Sequence, residues 1–521
     1  MRNRNWFLLI LAALLLTRLS LFWEDLLQVD EALFGVFTRA WHHGAVPYRE
    51  LVETKAMGTY YFYTLASWLA GALPDVSLRA VRILSLAWTL FTALCLQATG
   101  RRLFSREAGW VAALFYIIFS ADYVPNIVAV NIEVILLLPW TLSIFLLARP
   151  ASELRWFHSF LSGVCFSLAF ICKYQSGILL PVVFIYYGVL LFREKEGWGI
   201  KKAVLHSFCF ALGVLPVPSL MLWQLNRLGS LQDFFYWNFE GSLAYIRFGN
   251  ASIRLGQKLL TRALPYLAAT GLLWVLVAIR GVQAWKEKKT ESKRLSAQEL
   301  LLWTWFFLSF VPVAVGKRFY DHYFLLLIPS ASLLAAASLT RDGKAWWKKG
   351  RGAVACAFLI PALGFSAARF AIHPLYAKVG VTDLTTYRSY GAYLRNNTKP
   401  QDRILVWGYA PAVYWYSERL PASRFLWSDL LSGRVPGIVQ KGDAFQENQS
   451  FVDPKAWEMF FDDLKQHPPA YIMDMAPSGL HDYRNFSMLR FPRLMEWVNR
   501  DYEPQTPFQG AAVYRRRNGS L

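Results

Sequence analysis

The 521-residue sequence is poor in charge. Asp, Glu, Lys and Arg make up 17% of it, against about 25% in an ordinary soluble protein. Cysteine is scarce too: Cys95, Cys165, Cys172, Cys209 and Cys356 all sit in apolar runs and form no CxxC pair. That argues against a metal site or a disulfide framework and for small buried hydrophobes. Low-complexity segments and internal repeats of the transporter kind are missing. Abundance lies elsewhere, in 55% hydrophobic and 16% aromatic residues, including 22 Trp and 25 Tyr, and the mean hydropathy is +0.28. Such a chain cannot hide its apolar surface in water-soluble cores, so disordered, coiled-coil and purely soluble classes are excluded. A polytopic α-helical membrane protein remains, its Trp and Tyr suited to interfacial belts. The net charge of +20 fits Lys and Arg gathered in cytoplasmic loops. No basic-aromatic motif for nucleic acid stands out, and no nucleic-acid partner is expected.

The N-terminal apolar run Trp6–Trp23 follows Arg2 and Arg4 and lacks a small-residue cleavage site, which predicts a retained first span with its N-terminus inside. Further runs suited to a hydrocarbon core of ~30 Å lie near 80–99, 107–121, 134–148, 157–172, 177–192, 203–223, 263–280, 298–315, 324–340 and 353–372. The run 59–73 decides the orientation of everything after it. With 59–73 not spanning, the clusters at Arg101–Arg106, Arg149–Arg155, Arg193–Lys202, Lys286–Arg294 and Arg341–Arg351 all face the cytoplasm, as the positive-inside rule requires. The expectation is therefore about 11 spans, with 59–73 a juxtamembrane or re-entrant helix inside a first outer loop, 24–79. The domains are then a transmembrane part, 1–372, and an extracytoplasmic part, 373–521. In the latter, helix-like stretches alternate with short strand-like runs at Arg403–Gly408, Ala470–Asp474 and Ala511–Arg515, which predicts a small α/β domain.

The polar residues with chemical potential gather on the outer side. Asp30 and Glu31 follow the first span and open a helical pattern. Carboxylates there favour the helix dipole, and one beside an apolar surface can serve as a general base. Lys55 precedes the apolar run 59–73, suited either to snorkelling or to a lipid phosphate. Glu133 stands at the entrance to the fourth span, and acidic residues at such depth are functional candidates. Lys173 tops the fifth span on the same side, and Arg318, His322 and Tyr323 share one outer turn. His42 and His43 occupy adjacent helical positions that diverge by ~100°, so no required metal is expected. The acidic residues and His481 of the C-terminal part have no catalytic spacing, and that part reads as an acceptor-binding or lid domain.

The motifs themselves resemble a known class. Asp30-Glu31 after span one, a surface helix leading to Gly44-x-x-Pro47-Tyr48, and Lys55 before a Tyr-rich segment at Tyr60–Tyr63 are similar to the C-type (GT-C) membrane glycosyltransferases. They resemble most closely glycosyltransferase family 39, which holds the protein O-mannosyltransferases and the lipid A aminoarabinose transferases. Here Lys55 is followed by Ala56-Met57-Gly58, where that family usually has prolines. Gly316-Lys-Arg318-Phe-Tyr-Asp-His322-Tyr323 and Arg403-Ile-Leu-Val-Trp-Gly408 are further points of likeness.

The resemblance implies an inverting transferase that moves a sugar from a polyprenyl-phosphate donor to a lipid, glycan or protein acceptor. The reaction would take place on the outer face of the cytoplasmic membrane, without a cofactor. It also implies Asp30 as base with Glu31 beside it. Lys55, Arg318, His322 and Lys173 would serve the donor phosphate, where positive charge must meet developing negative charge. Glu133, Tyr48, Tyr60 and Tyr323 would contact substrate. The competing readings are a transporter or flippase for a polyprenyl-linked or lipid substrate, and an oligosaccharide ligase with a pyrophosphate donor. Polar candidates at span ends rather than mid-span favour the transferase.

Overall fold

In a bilayer each backbone N–H and C=O must be satisfied within its own segment, so apolar runs become helices. The structure, a computed structural model, describes residues 3–23, 25–121, 125–194, 198–240, 255–290, 295–340, 384–434, 445, 449, 452 and 454–517. Helices long and apolar enough to cross a membrane are Leu78–Leu103, Tyr174–Arg193, Ile200–Arg227 and Ala297–Ala314. Shorter apolar helices, Asn3–Thr17, Ile132–Leu147, Trp156–Phe170 and Ile328–Thr340, accompany them, as does Arg106–Phe119. The expected run 353–372, the basic cluster 341–351 and Cys356 lie outside the described residues. The helices close on one another through small residues: a Cβ on Gly163 would lie 2.1 Å from the Phe210 carbonyl oxygen, and one on Gly213 2.0 Å from that of Phe160. Membrane helices commonly approach this way.

Two expected spans are interrupted. The first run stops at Thr17 and resumes as Ser20–Trp23. At the break lies Arg18, buried, donating to Thr17 Oγ1, to the Ile117 carbonyl and to Ser120 Oγ. A buried guanidinium must find acceptors, and these turn the chain. The run 263–280 is bent by 76° between Leu255–Ala269 and Gly271–Lys289. Thr270 sits in the bend, its hydroxyl donating to the Tyr266 carbonyl (2.7 Å) and accepting from Trp274 Nε1 (2.7 Å). By contrast, 59–73 contains the helix Gly58–Leu69 of 12 residues. At ~1.5 Å per residue it is roughly 18 Å long, short of a crossing.

The C-terminal residues form a five-stranded sheet of order β2-β1-β3-β5-β4. Its strands are β1 (Arg403–Trp407), β2 (Leu420–Pro421), β3 (Tyr471–Asp474), β4 (Tyr502–Phe508) and β5 (Ala511–Arg516). β2, β1 and β3 run parallel, whereas β5 pairs antiparallel with β3 and β4. β1 is buried from Ile404 to Trp407 and β3 throughout, the continuous apolar signature of parallel strands covered on both faces. Helices Leu384–Asn397, Pro411–Ser417, Pro454–Gln466 and Pro492–Asp501 accompany the sheet.

This sheet unit docks on the first loop. Helix Pro411–Ser417 packs on helix Val29–His42, and Trp415 comes so close that a Cβ on Gly35 would lie 2.7 Å from its ring. Arg39 covers the Trp415 ring at 4.5 Å. The Val52 amide donates to the Arg424 carbonyl (2.9 Å), and Asp25 pairs with Arg388. The parallel strands thereby bring their carboxyl-end loops above the start of helix Val29–His42.

Candidate functional site

Asp30 and Glu31 are neighbours in the first turn of helix Val29–His42, yet consecutive helical positions point ~100° apart. Their surroundings differ accordingly. Glu31 is fully buried. It accepts from the Leu27 amide (3.0 Å), the Val130 amide (3.0 Å) and Arg82 Nη2 (2.7 Å). Arg82 also donates to the Leu21 and Asp25 carbonyls. Glu31 thus ties the segment before its own helix, the stretch around Val130 and helix Leu78–Leu103 together. Glu31, expected as a catalytic partner, has its oxygens occupied by these donors, which gives it a framing role in this structure.

Asp30 is half-buried. Its Oδ1 accepts a 3.0 Å hydrogen bond from the Tyr409 phenol, which comes from the loop after β1. Lys55, His322 and His481 all lie close enough to feel its charge. A cavity of about 460 Å³ between helix Val29–His42 and the sheet unit opens instead beside Asp25 and Arg39.

Lys55 is held rather than free. Its ammonium lies 3.4 Å from Glu53 Oε1, 5.3 Å from the Phe34 ring and 5.8 Å from the Trp427 ring. Burial works against the Lys55 charge, but Glu53 and Asp30 outweigh it and leave the amine above its usual range. Glu53, which sequence reasoning passed over, is fully buried and also accepts from the Thr54 amide (2.8 Å) and the Tyr60 hydroxyl (2.5 Å). Tyr60, expected to contact substrate, is stacked on Phe37 at 3.9 Å and spends its hydroxyl on Glu53.

Tyr48 departs from expectation in the same way. It is fully buried with φ of 66°, a conformation that costs a non-glycine residue energy. Its hydroxyl donates to the Lys55 carbonyl (2.7 Å), making it a brace for the lysine's backbone.

Glu133 and Lys173 form an ion pair, and the Lys173 ammonium stands 3.9 Å over the Tyr323 ring. The charges of Glu133 and Lys173 both reach His322. His322 packs edge-on to Tyr323 at 4.8 Å. Burial pushes its imidazole below the usual range, Lys173 adds to this, and Glu133, Asp30 and Asp321 oppose it. Arg318 is buried and lies near Asp429 and Lys258. Both of its neighbours, Lys317 (φ 52°) and Phe319 (φ 47°), adopt the left-handed region. Such strain at non-glycine residues persists where the surroundings enforce it, often at ligand sites.

One electrostatic neighbourhood therefore gathers Asp30, Lys55, Glu53, Glu133, Lys173 and His322 from five separate stretches of chain. Among the described residues, no three His, Cys, Asp or Glu side chains are grouped to hold a metal ion. Sequence reasoning missed Glu53, Tyr409 and Trp427 and set His481 aside. The Glu53-x-Lys55 spacing offered a local signal for the first. Tyr409 lies 379 positions from its partner and offered none.

Comparisons with known proteins bear on the fold. The sequence model of the dolichyl-phosphate-mannose-protein mannosyltransferase family matches residues 56–223. No curated protein sequence matches the chain. Among solved structures, ArnT from Cupriavidus metallidurans bound to undecaprenyl phosphate superposes with a TM-score of 0.62 and 14% identity, over 99% of each chain. The same protein in its apo state gives 0.57 and 14%, over 99% of this chain and 98% of that one. The oligosaccharyltransferase AglB from Archaeoglobus fulgidus, in complex with an inhibitory peptide and a dolichol-phosphate, gives 0.55 and 12%, over 100% of this chain and 75% of that one. The fold is that of these GT-C transferases, and residues 56–223, from within the loop 24–79 onward, resemble the mannosyltransferase family whose model matches them.

Proposed function

We propose that this multi-pass GT-C protein transfers a sugar, with inversion, from a polyprenyl-phosphate donor to a hydroxyl acceptor, acting on the outer face of the cytoplasmic membrane. The observation that carries the reading is the placement of a half-buried carboxylate, Asp30, within electrostatic reach of Lys55 and His322. A base and a cation are what a phosphate leaving group requires.

In this reading the acceptor oxygen attacks the anomeric carbon as Asp30 takes its proton. The bond from that carbon to the phosphate oxygen breaks, and its electron pair leaves on the polyprenyl phosphate. Lys55, Lys173 and Arg318 offset that charge, and the His322 imidazole is placed to donate a hydrogen bond to it; preorganised cations in a desolvated site are worth more than in water. Glu53 and Glu133 hold the two lysines in place before the donor arrives. The strained turn around Arg318 holds a third cation. The transmembrane part, 1–372, binds the lipid carrier, and 373–521 lies outside the membrane and covers the acceptor side.

The test is to incubate the purified protein with a native lipid extract and follow polyprenyl-phosphate sugars by mass spectrometry. Consumption of one such lipid, with release of polyprenyl phosphate, is expected. Consumption of a pyrophosphate-linked oligosaccharide instead would replace the donor class. Movement of an intact lipid across vesicles without cleavage would favour the transport reading.

A further inference from the structure

In open sheets with parallel strands, ligands bind beyond the carboxyl ends of those strands. Here the three parallel strands end in loops that converge above Asp30. Tyr409 follows β1, Trp427 follows β2, and His481 follows β3. The Tyr409 ring lies 5.4 Å from His481 and 6.4 Å from Trp427, and Trp427 faces the Lys55 ammonium. The β1 loop is firmly set. Gly408 has φ of 139°, its amide donates to Ser428 Oγ (3.0 Å), and a Cβ there would press on Met475 at 3.1 Å. The phenol of Tyr409 is therefore presented to Asp30 by a rigid backbone.

The Tyr409 hydroxyl is a neutral O–H donor on one oxygen of a half-buried carboxylate. That is the same chemistry an acceptor hydroxyl must offer the base before it attacks. Beside it, His481 Nε2 is buried without a hydrogen-bond partner. A buried polar nitrogen left unsatisfied is costly, and it is the kind of group a bound ligand satisfies.

Resting on the transferase reading above, we propose that Tyr409 stands in for the acceptor on Asp30. It occupies the base until an acceptor hydroxyl displaces it, and His481 takes a second polar group of that acceptor. Tyr409 is a positioning and gating residue: by keeping water off Asp30 it protects the donor from hydrolysis when no acceptor is bound. In that side reaction water would replace the acceptor. Asp30 would take one proton, the other would stay on the new sugar hydroxyl, and the phosphate would leave as before.

The test uses the full-length protein in nanodiscs with the donor identified from the native extract and no acceptor added. Tyr409→Phe is expected to release free sugar about tenfold faster than the parent, the rate equivalent of freeing the base from one charge-assisted hydrogen bond. A structural defect would lower activity and cannot produce this gain. Tyr409→Leu gives the same readout should the Phe variant not purify. Adding Asp30→Asn to Tyr409→Phe should abolish the gain. Release at or below the parent rate in both Tyr409 variants would overturn the proposal, as would a gain that survives Asp30→Asn. If the parent consumes no polyprenyl-phosphate sugar from the native extract at all, the transferase reading fails and this inference falls with it. If the parent consumes one and only the Tyr409 gain is missing, this inference alone is wrong.

Discussion

Two buried acid–base clusters stand at opposite ends of the helical stretch Ala297–Ala314. At its start, Arg280 is fully buried and reaches Glu299 through Nε (2.7 Å) and Glu287 through Nη1 (3.0 Å). Beyond its end, the Arg318–Tyr323 turn joins Asp30, Lys55, Glu53, Glu133 and Lys173. In the first cluster each acid is bonded to the same guanidinium. In the second, the cations are held by acids that flank them, and the remaining carboxylate, Asp30, receives a neutral phenol from a distant part of the chain. Burial and charge are common to both. What separates them is the kind of partner: a full charge locks a group, whereas a neutral hydroxyl can be exchanged for a substrate's.

The largest stability effects should come from the locked groups. Removing one member of a buried ion pair costs about 3–5 kcal/mol. Arg280→Met and Glu31→Gln should therefore lower the thermal midpoint strongly while activity per folded molecule is kept, measured by thermal unfolding and by turnover of the surviving fraction. Equal loss of turnover in the folded Glu31→Gln protein would place that carboxylate in the reaction after all. Lys55→Ala comes next. It removes a charge-assisted contact, worth roughly 1.5–3 kcal/mol, and should weaken binding of undecaprenyl phosphate by calorimetry more than it alters the midpoint.

A smaller effect follows from His481, which burial and then Arg434 push down to about 4. An unfolded histidine takes up its proton near ~6.5. Between those values the unfolded state binds more protons, so stability is complete above that range and declines as pH falls through it. Midpoints recorded across this interval should show a shallower pH slope in His481→Gln. The smallest effect belongs to the exposed Arg395–Glu418 pair (3.0 Å). Glu418→Ala should cost no more than about 1 kcal/mol and leave turnover unchanged.

Periodicity and charge exposed much of this in the sequence. The helices emerge from apolar runs, strands β1, β3 and β5 from short buried or β-rich stretches, and Asp30, Lys55, Lys173 and His322 from their shared side of the membrane. The bend at Thr270 was not legible, because the apolar run continues through it and only the hydroxyl's two hydrogen bonds mark it. Nor was the division of labour between Asp30 and Glu31. It depends on what the ~100° turn between them faces, and Arg82 and Val130 are remote in sequence. Tyr48 and Tyr60 looked like substrate contacts because tyrosine suits that task. Their hydroxyls are instead spent on the Lys55 backbone and on Glu53. The roof over Asp30 depends on sheet topology, which sets Tyr409, Trp427 and His481 side by side although they follow three different strands.

Asp30→Asn puts the division between locked and exchangeable carboxylates to its most direct trial. Single-turnover donor consumption and donor affinity would be measured on one preparation of the variant and of the parent. A general base contributes about 10²- to 10⁴-fold, so the rate should drop by that factor while donor affinity and thermal midpoint stay near those of the parent. Near-normal turnover in Asp30→Asn would contradict the assignment.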